Sequence, residues 1–294
     1  MLAVFALPIL LSIGLIALLI DDDGDAEERD TVTLDEDEET FEGSDAPERA
    51  IGNDLDNEML GGGGDDILVG AGGNDAIDGG AGNDRVFGND GNDFAVGGAG
   101  DDNVFLGAGD DLYGSDEEDR YDAGNDFVRG GAGDDIILDV RGSNELFGDL
   151  GNDVLLAADG LGDETFSEPN EFGTTDTLSG GLGDDTLAGD DGDEMTGGEG
   201  EDEFVAITDV SRPQQSAVEI TDFDPAEDVL TILLTEPAVE GSEIEFVFDA
   251  DADAVNAIYE GRTVAVLRGL DDSALASLPA ATAITAPETP FPTS

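Results

Sequence analysis

The stretch Gly61–Gly114 reads GGGGDDILV, GAGGNDAID, GGAGNDRVF, GNDGNDFAV, GGAGDDNVF and LGAGDDLYG, six nine-residue units in one frame without slippage. Glycine holds every fourth position and most of the first and second, aspartate holds the sixth, and the eighth is apolar in nearly every unit. A single G-x-G-x-D string means little in a chain with 43 glycines. A fixed nine-residue frame is a stronger signal, because an internal period identifies a solenoid or array built by stacking one supersecondary unit.

The frame runs on in Tyr121–Leu156 (YDAGNDFVR, GGAGDDIIL, DVRGSNELF, GDLGNDVLL) and in Glu171–Val205, where GGLGDDTLA and GGEGEDEFV flank a shortened GDDGDEMT. This makes fourteen units from Gly61 to Val205. The departures are local. Asn144 replaces a sixth-position Asp, the 189–196 copy lacks one residue, and Ser115–Arg120 and Ala157–Asn170 are insertions. Upstream, Gly43–Leu60 keeps the spacing, with Met59 at the eighth position, but lacks the fourth-position glycine, as a capping turn would. The consensus G-G-x-G-x-D-x-U-x, with U a large apolar residue, resembles the hemolysin-type (RTX) calcium-binding repeat proteins over about half the chain. That resemblance implies an all-β fold: a right-handed parallel β-roll solenoid in which two nonapeptides make one turn. It also implies calcium as the bound ion and export from a bacterial cell.

The chemistry of the unit leads to the same ion. Glycines at the first, second and fourth positions permit positive φ and close backbone approach, so G-G-x-G-x-D forms a tight turn with inward carbonyls. The remaining x-U-x is a short strand whose central side chain faces opposite to its neighbours. Leu68, Ile77, Val86, Val104, Ile137, Leu155, Leu178, Leu187 and Phe204 are therefore expected to line a narrow core. Turns stacked at about 4.8 Å place Asp66, Asp84 and Asp102 in one column and Asp75, Asp93 and Asp111 in the opposite one. Unit charges at that spacing repel by roughly 1 kcal/mol in water and several-fold more at an effective dielectric of about 20. Cations must intervene.

A flexible cage of carboxylate and carbonyl oxygens suits Ca²⁺ better than Mg²⁺, whose octahedron is strict. Zinc and copper would want imidazole or thiolate, and the chain has neither His nor Cys. The candidate metal ligands are Asp66, Asp75, Asp84, Asp93, Asp102, Asp111, Asp126, Asp135, Asp153, Asp176, Asp185 and Asp202. With one ion between same-side loops of adjacent turns, about eight ions bind, or about twelve if the solenoid runs unbroken. Neither count neutralises a net charge of −65. Without calcium the region is expected to behave as the disordered Gly/Asp linker that its composition resembles.

Outside the repeats, Leu2–Ile20 is an uncharged segment, about 28 Å long as a helix, nearly enough to cross a bilayer core. It lacks a preceding basic residue and a small-residue cleavage site, so it reads as an uncleaved membrane anchor rather than a cleaved signal, with the repeats outside the cell. Residues 21–42 read as an acidic spacer, 43–205 as the calcium-binding roll, 206–278 as a small C-terminal β cap, and 279–294 as a flexible tail. Within the cap, Ala217–Leu234 resembles the segment that closes RTX rolls, with Asp222, Asp224 and Asp228 around a Pro225 turn. Glu243–Phe248 alternates as a strand, and Ala257–Leu267 reads as a hairpin around Glu260–Gly261. The family carries an uncleaved C-terminal type I secretion signal. The sparsely charged Pro279–Ser294 is compatible with one, whereas Leu2–Ile20 is not a usual feature of type I substrates.

Composition removes most catalytic classes. Without His there is no Ser-His-Asp triad and no H-E-x-x-H zinc site, and without Cys there is no thiol chemistry or disulfide. All nine basic residues are Arg, so lysine Schiff bases are excluded, and the charge balance excludes nucleic-acid binding. With 74 acidic residues, any carboxylate pair at glycosidase spacing is uninformative. The reading is a non-catalytic, calcium-dependent structural protein, secreted or at the bacterial cell surface. The alternative is a calcium-dependent adhesin or partner-binding module with an unidentified protein or glycan partner. Val69, Phe87 and Phe105, at ninth positions, are expected to stack as an outward apolar ladder.

Overall fold

The computed structural model describes residues 31–114, 124–139, 141–157, 174–190, 192–208, 216–234, 243–278 and 282–285. The hydrophobic segment expected to be helical over residues 1–20 lies outside them, as do Ser115–Arg120 and residues 158–170 of the insertions. Among the described residues there is no α-helix, and no helix is long and apolar enough to cross a membrane.

Every nine residues a Gly/Asp turn interrupts the chain, so the strands of the roll hold only three to six residues. The chain enters through β1 (Thr31–Thr33), β2 (Thr40–Glu42), β3 (Arg49–Ile51) and β4 (Glu58–Leu60). The frame-perfect block supplies β5 (Ile67–Gly72), β6 (Ala76–Ala81), β7 (Arg85–Asp90), β8 (Phe94–Ala99), β9 (Asn103–Ala108) and β10 (Leu112–Gly114). Next come β11 (Phe127–Ala132), β12 (Ile136–Leu138), β13 (Glu145–Leu150) and β14 (Val154–Ala157). The last repeats give β15 (Thr177–Leu182), β16 (Thr186–Gly189), β17 (Glu194–Glu199) and β18 (Glu203–Thr208). Then follow β19 (Val218–Ile220), β20 (Val229–Leu234), β21 (Ile244–Asp249), β22 (Ala254–Tyr259), β23 (Arg262–Arg268) and β24 (Thr282–Thr285).

Through β20, odd strands build one parallel sheet and even strands the other. The chain returns to the same sheet every second strand, so residues eighteen apart pair: Leu68 with Val86, and Val86 with Val104. Two nonapeptides therefore make one turn. The stack does not break at the insertions. β9 pairs with β11 and β10 with β12 across residues 115–123, and β13 pairs with β15 and β14 with β16 across residues 158–173. All nine expected core residues are buried, each at most 1% exposed, in one cluster between the sheets. One such side chain per nine residues makes a thin core.

The ladders extend beyond the repeat frame at both ends. The part of the 21–42 stretch that is described is not a free spacer, because β1 pairs with β3 and β2 with β4. The Gly43–Leu60 turn contributes full rungs, β3 and β4. At the other end β19 and β20 add rungs, and the expected hairpin forms as β22 and β23 around Glu260 and Gly261, both at positive φ. β23 docks parallel on β19, and β21 leaves the first sheet with an antiparallel edge. Thr282–Thr285, expected within a flexible tail, instead pair with β20 as the last rung of the second sheet.

Outside the first sheet, Phe87 and Phe105 stack with ring centroids 5.3 Å apart and planes 6° from parallel. The row continues through Phe127 and Phe147, where the Arg129 guanidinium lies 5.6 Å from the ring centroid.

Candidate metal centre

Turns leading from the first sheet to the second are termed outbound, and those leading back are termed return. Asp75, Asp93, Asp111, Asp135, Asp153, Asp185 and Asp202 occupy the outbound turns; Asp66, Asp84, Asp102, Asp126 and Asp176 occupy the return turns. Each immediately precedes a strand, and all twelve are buried, none more than 3% exposed.

Backbone amides position these carboxylates. The Oδ1 of each accepts the N–H of its counterpart one turn earlier: Asp66 N–H on Asp84 at 2.6 Å, Asp84 on Asp102 at 2.7 Å, Asp75 on Asp93 at 2.8 Å and Asp93 on Asp111 at 2.7 Å. The outbound column starts at Asn57, whose N–H binds Asp75, and ends where Asp202 N–H binds Asp228. The return column runs from Glu48 N–H on Asp66 to Asp176 N–H on Asp193.

The second oxygen is different. In Asp75, Asp84, Asp93, Asp111, Asp135, Asp153 and Asp185, Oδ2 is buried without a hydrogen-bond partner, a costly state for an ionised group. In all but Asp111, whose turn begins with Leu106, it faces the first glycine of its own turn, and in Asp75, Asp84, Asp93, Asp135 and Asp185 it also faces a carbonyl one turn on. A Cβ on Gly79 would meet both Gly97 O and Asp84 Oδ2, and one on Gly180 both Gly197 O and Asp185 Oδ2. Glycine thus keeps clear a space where carboxylate and carbonyl oxygens converge, a donor set that fits Ca²⁺. Among the described residues no three His, Cys, Asp or Glu groups converge on one point. Each turn points a single buried carboxylate, its sixth-position aspartate, into that space, so an ion there would take its other oxygens from the backbone.

Burial pushes the carboxyl pKa of Asp75, Asp84, Asp111, Asp153 and Asp185 up to about 6 and that of Asp135 to about 7; backbone N–H bonds oppose the shift and neighbouring carboxylates add to it. A carboxyl that is harder to ionise in the fold than in the unfolded chain binds more protons when folded. The calcium-free fold therefore loses stability as pH rises from about 4, the ordinary value, through about 6 to 7. Two outcomes follow. In chelator, β content should be higher at pH 5 than at pH 7.5. The calcium bound by the folded chain should fall as pH falls below about 6, where protons compete for the same oxygens. Circular dichroism in chelator and equilibrium dialysis against calcium at the two pH values check both.

A second ladder, which the repeat frame does not reveal, runs through the fifth positions. Asp65 Oδ1 accepts Asn83 N–H at 3.0 Å, Asn83 accepts Asp101 at 3.2 Å and Asp101 accepts Asn125 at 2.9 Å. On the outbound side Asp56, Asn74, Asn92, Asp110, Asp134, Asn152 and Asp184 continue the pattern through to Glu201 N–H. Fifth-position oxygens reach forward to the next turn and sixth-position oxygens reach back. The clue in the sequence is the near-exclusive use of Asn and Asp at a nominally variable position. The frame also does not pick out Asn57, Asp193 and Asp228, column members that lie outside or at the edge of clean repeats.

This ladder sharpens a prediction. Asp84→Ala removes a buried carboxylate and orphans the Asp66 N–H, so the calcium midpoint of folding should rise about tenfold or more. Asp101→Ala loses only exposed bonds from Asn125 that water replaces, so its midpoint should shift by about twofold or less, and Asp101→Asn should be neutral. Equal midpoints for the two alanine variants in calcium titrations would mean that general acidity, not position, governs folding.

The family model for the RTX calcium-binding nonapeptide repeat, comprising four copies, matches residues 51–86, 78–113, 122–138, 137–160 and 172–204. A search of curated protein sequences returns no match. Among solved structures, the extracellular lipase LipA from Serratia marcescens is similar at 17% identity and a TM-score of 0.23, over 83% of this chain. The chain spans 40% of that lipase's length.

Proposed function

Because the repeats between residues 51 and 204 are RTX calcium-binding nonapeptides, which bind multiple calcium ions, we propose that this chain is a non-catalytic structural protein that folds on calcium outside a bacterial cell. The observation that carries the reading is the row of buried Oδ2 atoms without hydrogen-bond partners along the stack. Each is a charge that the fold buries and leaves uncompensated, and a divalent cation between turns compensates it. Millimolar calcium outside cells would keep the roll folded there, in a chain with no cysteine to form disulfides. The ligand candidates are the twelve aspartates in the two columns, and the sequence contains no His, Cys or Lys with which to build a nucleophilic or zinc-dependent site.

Equilibrium dialysis of the full chain against calcium tests the binding: several ions per chain are expected, and one or none would overturn it. Location has its own test. Deleting Met1–Ile20 should turn a membrane-associated protein into a soluble one that still binds calcium, with the repeats of the full chain open to protease in intact cells. Full-length protein released into the medium would instead favour type I export directed by the C-terminus.

A partner-binding module is the second reading, and one surface favours it. On the outer face of the second sheet, Phe94, Leu112, Ile136 and Val154 align on consecutive rungs, each 38–43% exposed. Such a row on a strongly acidic molecule is where a partner would dock.

A further inference from the structure

We propose that the calcium array is one-sided beyond β9: ions line the outbound turns along the whole roll but the return turns only as far as Asp102, after which protein hydrogen bonds hold that flank. This rests on the calcium reading above and assigns it to particular turns.

Two independent observations carry it. The first is where the departures from the repeat fall. The topology places Ser115–Arg120 between β10 and β11, Asn144 between β12 and β13, the Ala157–Asn170 insertion between β14 and β15, and the one-residue deletion between β16 and β17. All four are return turns. The seven outbound turns each keep a fourth-position glycine and a sixth-position aspartate, from Gly73 and Asp75 to Gly200 and Asp202. An ion held between same-side loops needs two consecutive loops of matching shape, which the outbound side retains throughout.

The second observation is what the carboxylates touch. On the outbound side, Oδ2 of Asp75, Asp93, Asp111, Asp135, Asp153 and Asp185 has no hydrogen-bond partner. On the return side beyond β9, protein groups occupy the equivalent atoms of Asp126, Asn144 and Asp193. The buried Tyr113 hydroxyl donates to Asp126 Oδ2 at 3.3 Å. Asn144 accepts Asp126 N–H through Oδ1 at 2.9 Å, and its Nδ2, standing where a carboxylate oxygen would be, donates to the Arg141 carbonyl at 2.8 Å. In the shortened repeat, Asp193 Oδ2 accepts Asp190 N–H at 2.6 Å. An amide donor facing a turn carbonyl supplies from the protein the positive partner that a cation supplies elsewhere.

Asp126 and Asp135 flank the same strand, β11, on opposite sides, which makes them a matched pair. Asp126→Asn and Asp135→Asn in the full chain each keep an Oδ1 acceptor and lose one negative oxygen. Calcium bound at saturation, by equilibrium dialysis, and the calcium midpoint of folding, by circular dichroism, are measured for both. Asp135→Asn should bind at least one ion fewer and shift its midpoint about tenfold. Asp126→Asn should keep the wild-type ion count and a midpoint within about twofold, because its amide can still pair with Tyr113. If Asp135→Asn fails to fold, the Asp126→Asn count decides alone: retention supports one-sidedness and loss of an ion overturns it. Equal ion loss in both variants would overturn one-sidedness while leaving calcium binding intact. A wild-type chain that binds no calcium would remove the calcium reading itself.

Discussion

Far-UV circular dichroism of the full chain is expected to change from a largely unstructured spectrum in chelator to a β-rich one in millimolar calcium, and to revert when chelator is restored. The expected effect is nearly the whole folded signal of the repeat region. Its origin is the stack itself. The core offers one apolar side chain per nine residues, while each turn buries a carboxylate in either column with the next one a strand spacing away, about 4.8 Å. Backbone N–H bonds satisfy Oδ1, yet Oδ2 in seven of these residues has no hydrogen-bond partner, and burial raises the pKa values, which shows that the fold disfavours the ionised form. At neutral pH a divalent ion removes that penalty, so binding and folding are one event. A spectrum indifferent to calcium would mean that hydrogen bonds and the thin core suffice, and the central claim would fall.

Gly133→Ala adds a single methyl group, and it is expected to abolish the folded rungs around β11 and β12 at calcium concentrations that saturate the wild type. Gly133 sits at φ +134°, and a Cβ there would land on the carbonyl oxygen of Gly109, its counterpart one turn earlier. The obstacle is backbone in a stacked ladder and cannot swing aside as a side chain would. A left-handed conformation plus a backbone collision costs about 3 kcal/mol or more. Gly261 is the control. It too has positive φ, at +77°, but sits in the β22–β23 hairpin with nothing within 4 Å of an added Cβ. Gly261→Ala should therefore cost only the conformational part, about 1 kcal/mol. Calcium titrations and thermal melts of the two variants give the comparison. Similar losses would show that conformational preference alone, not stacking contact, sets the glycine requirement.

Much of the architecture could be read from the residues because the period is short and strict. Each eighth-position residue from Leu68 to Phe204 has one place to go when a turn follows every nine residues, and the nine expected core residues are all buried. The two aspartate columns and the Glu260–Gly261 hairpin follow from the same local rules. The misses share a cause as well. Thr31–Thr33, exposed along its length, and Thr282–Thr285 carry no pattern that distinguishes strand from tail; they are strands because a neighbouring rung offers an open edge. The fifth-position ladder leaves in the sequence only its recurrent Asn and Asp, which do not by themselves say what their oxygens bind. Only the stacking shows that Asp101 Oδ1 reaches forward to Asn125 while Asp102 Oδ1 receives Asp84 N–H from the turn before.

By itself, the sequence determined a solenoid of short parallel strands, a glycine-permitted turn at every repeat, and an ion chemistry of hard oxygen ligands. Each of these follows from residue type and spacing within nine positions, and local physics suffices for them. Which side of the roll each aspartate occupies was decided by the tertiary structure. An insertion absorbed within a turn leaves the alternation between sheets intact, whereas one that formed a strand of its own would move every later carboxylate to the other column. β9 pairs with β11 and β13 with β15 across the two insertions, so the alternation is preserved. That preserved alternation places every irregular turn, with Asn144 and Asp193, on the return flank and leaves the outbound column continuous from Asp75 to Asp202.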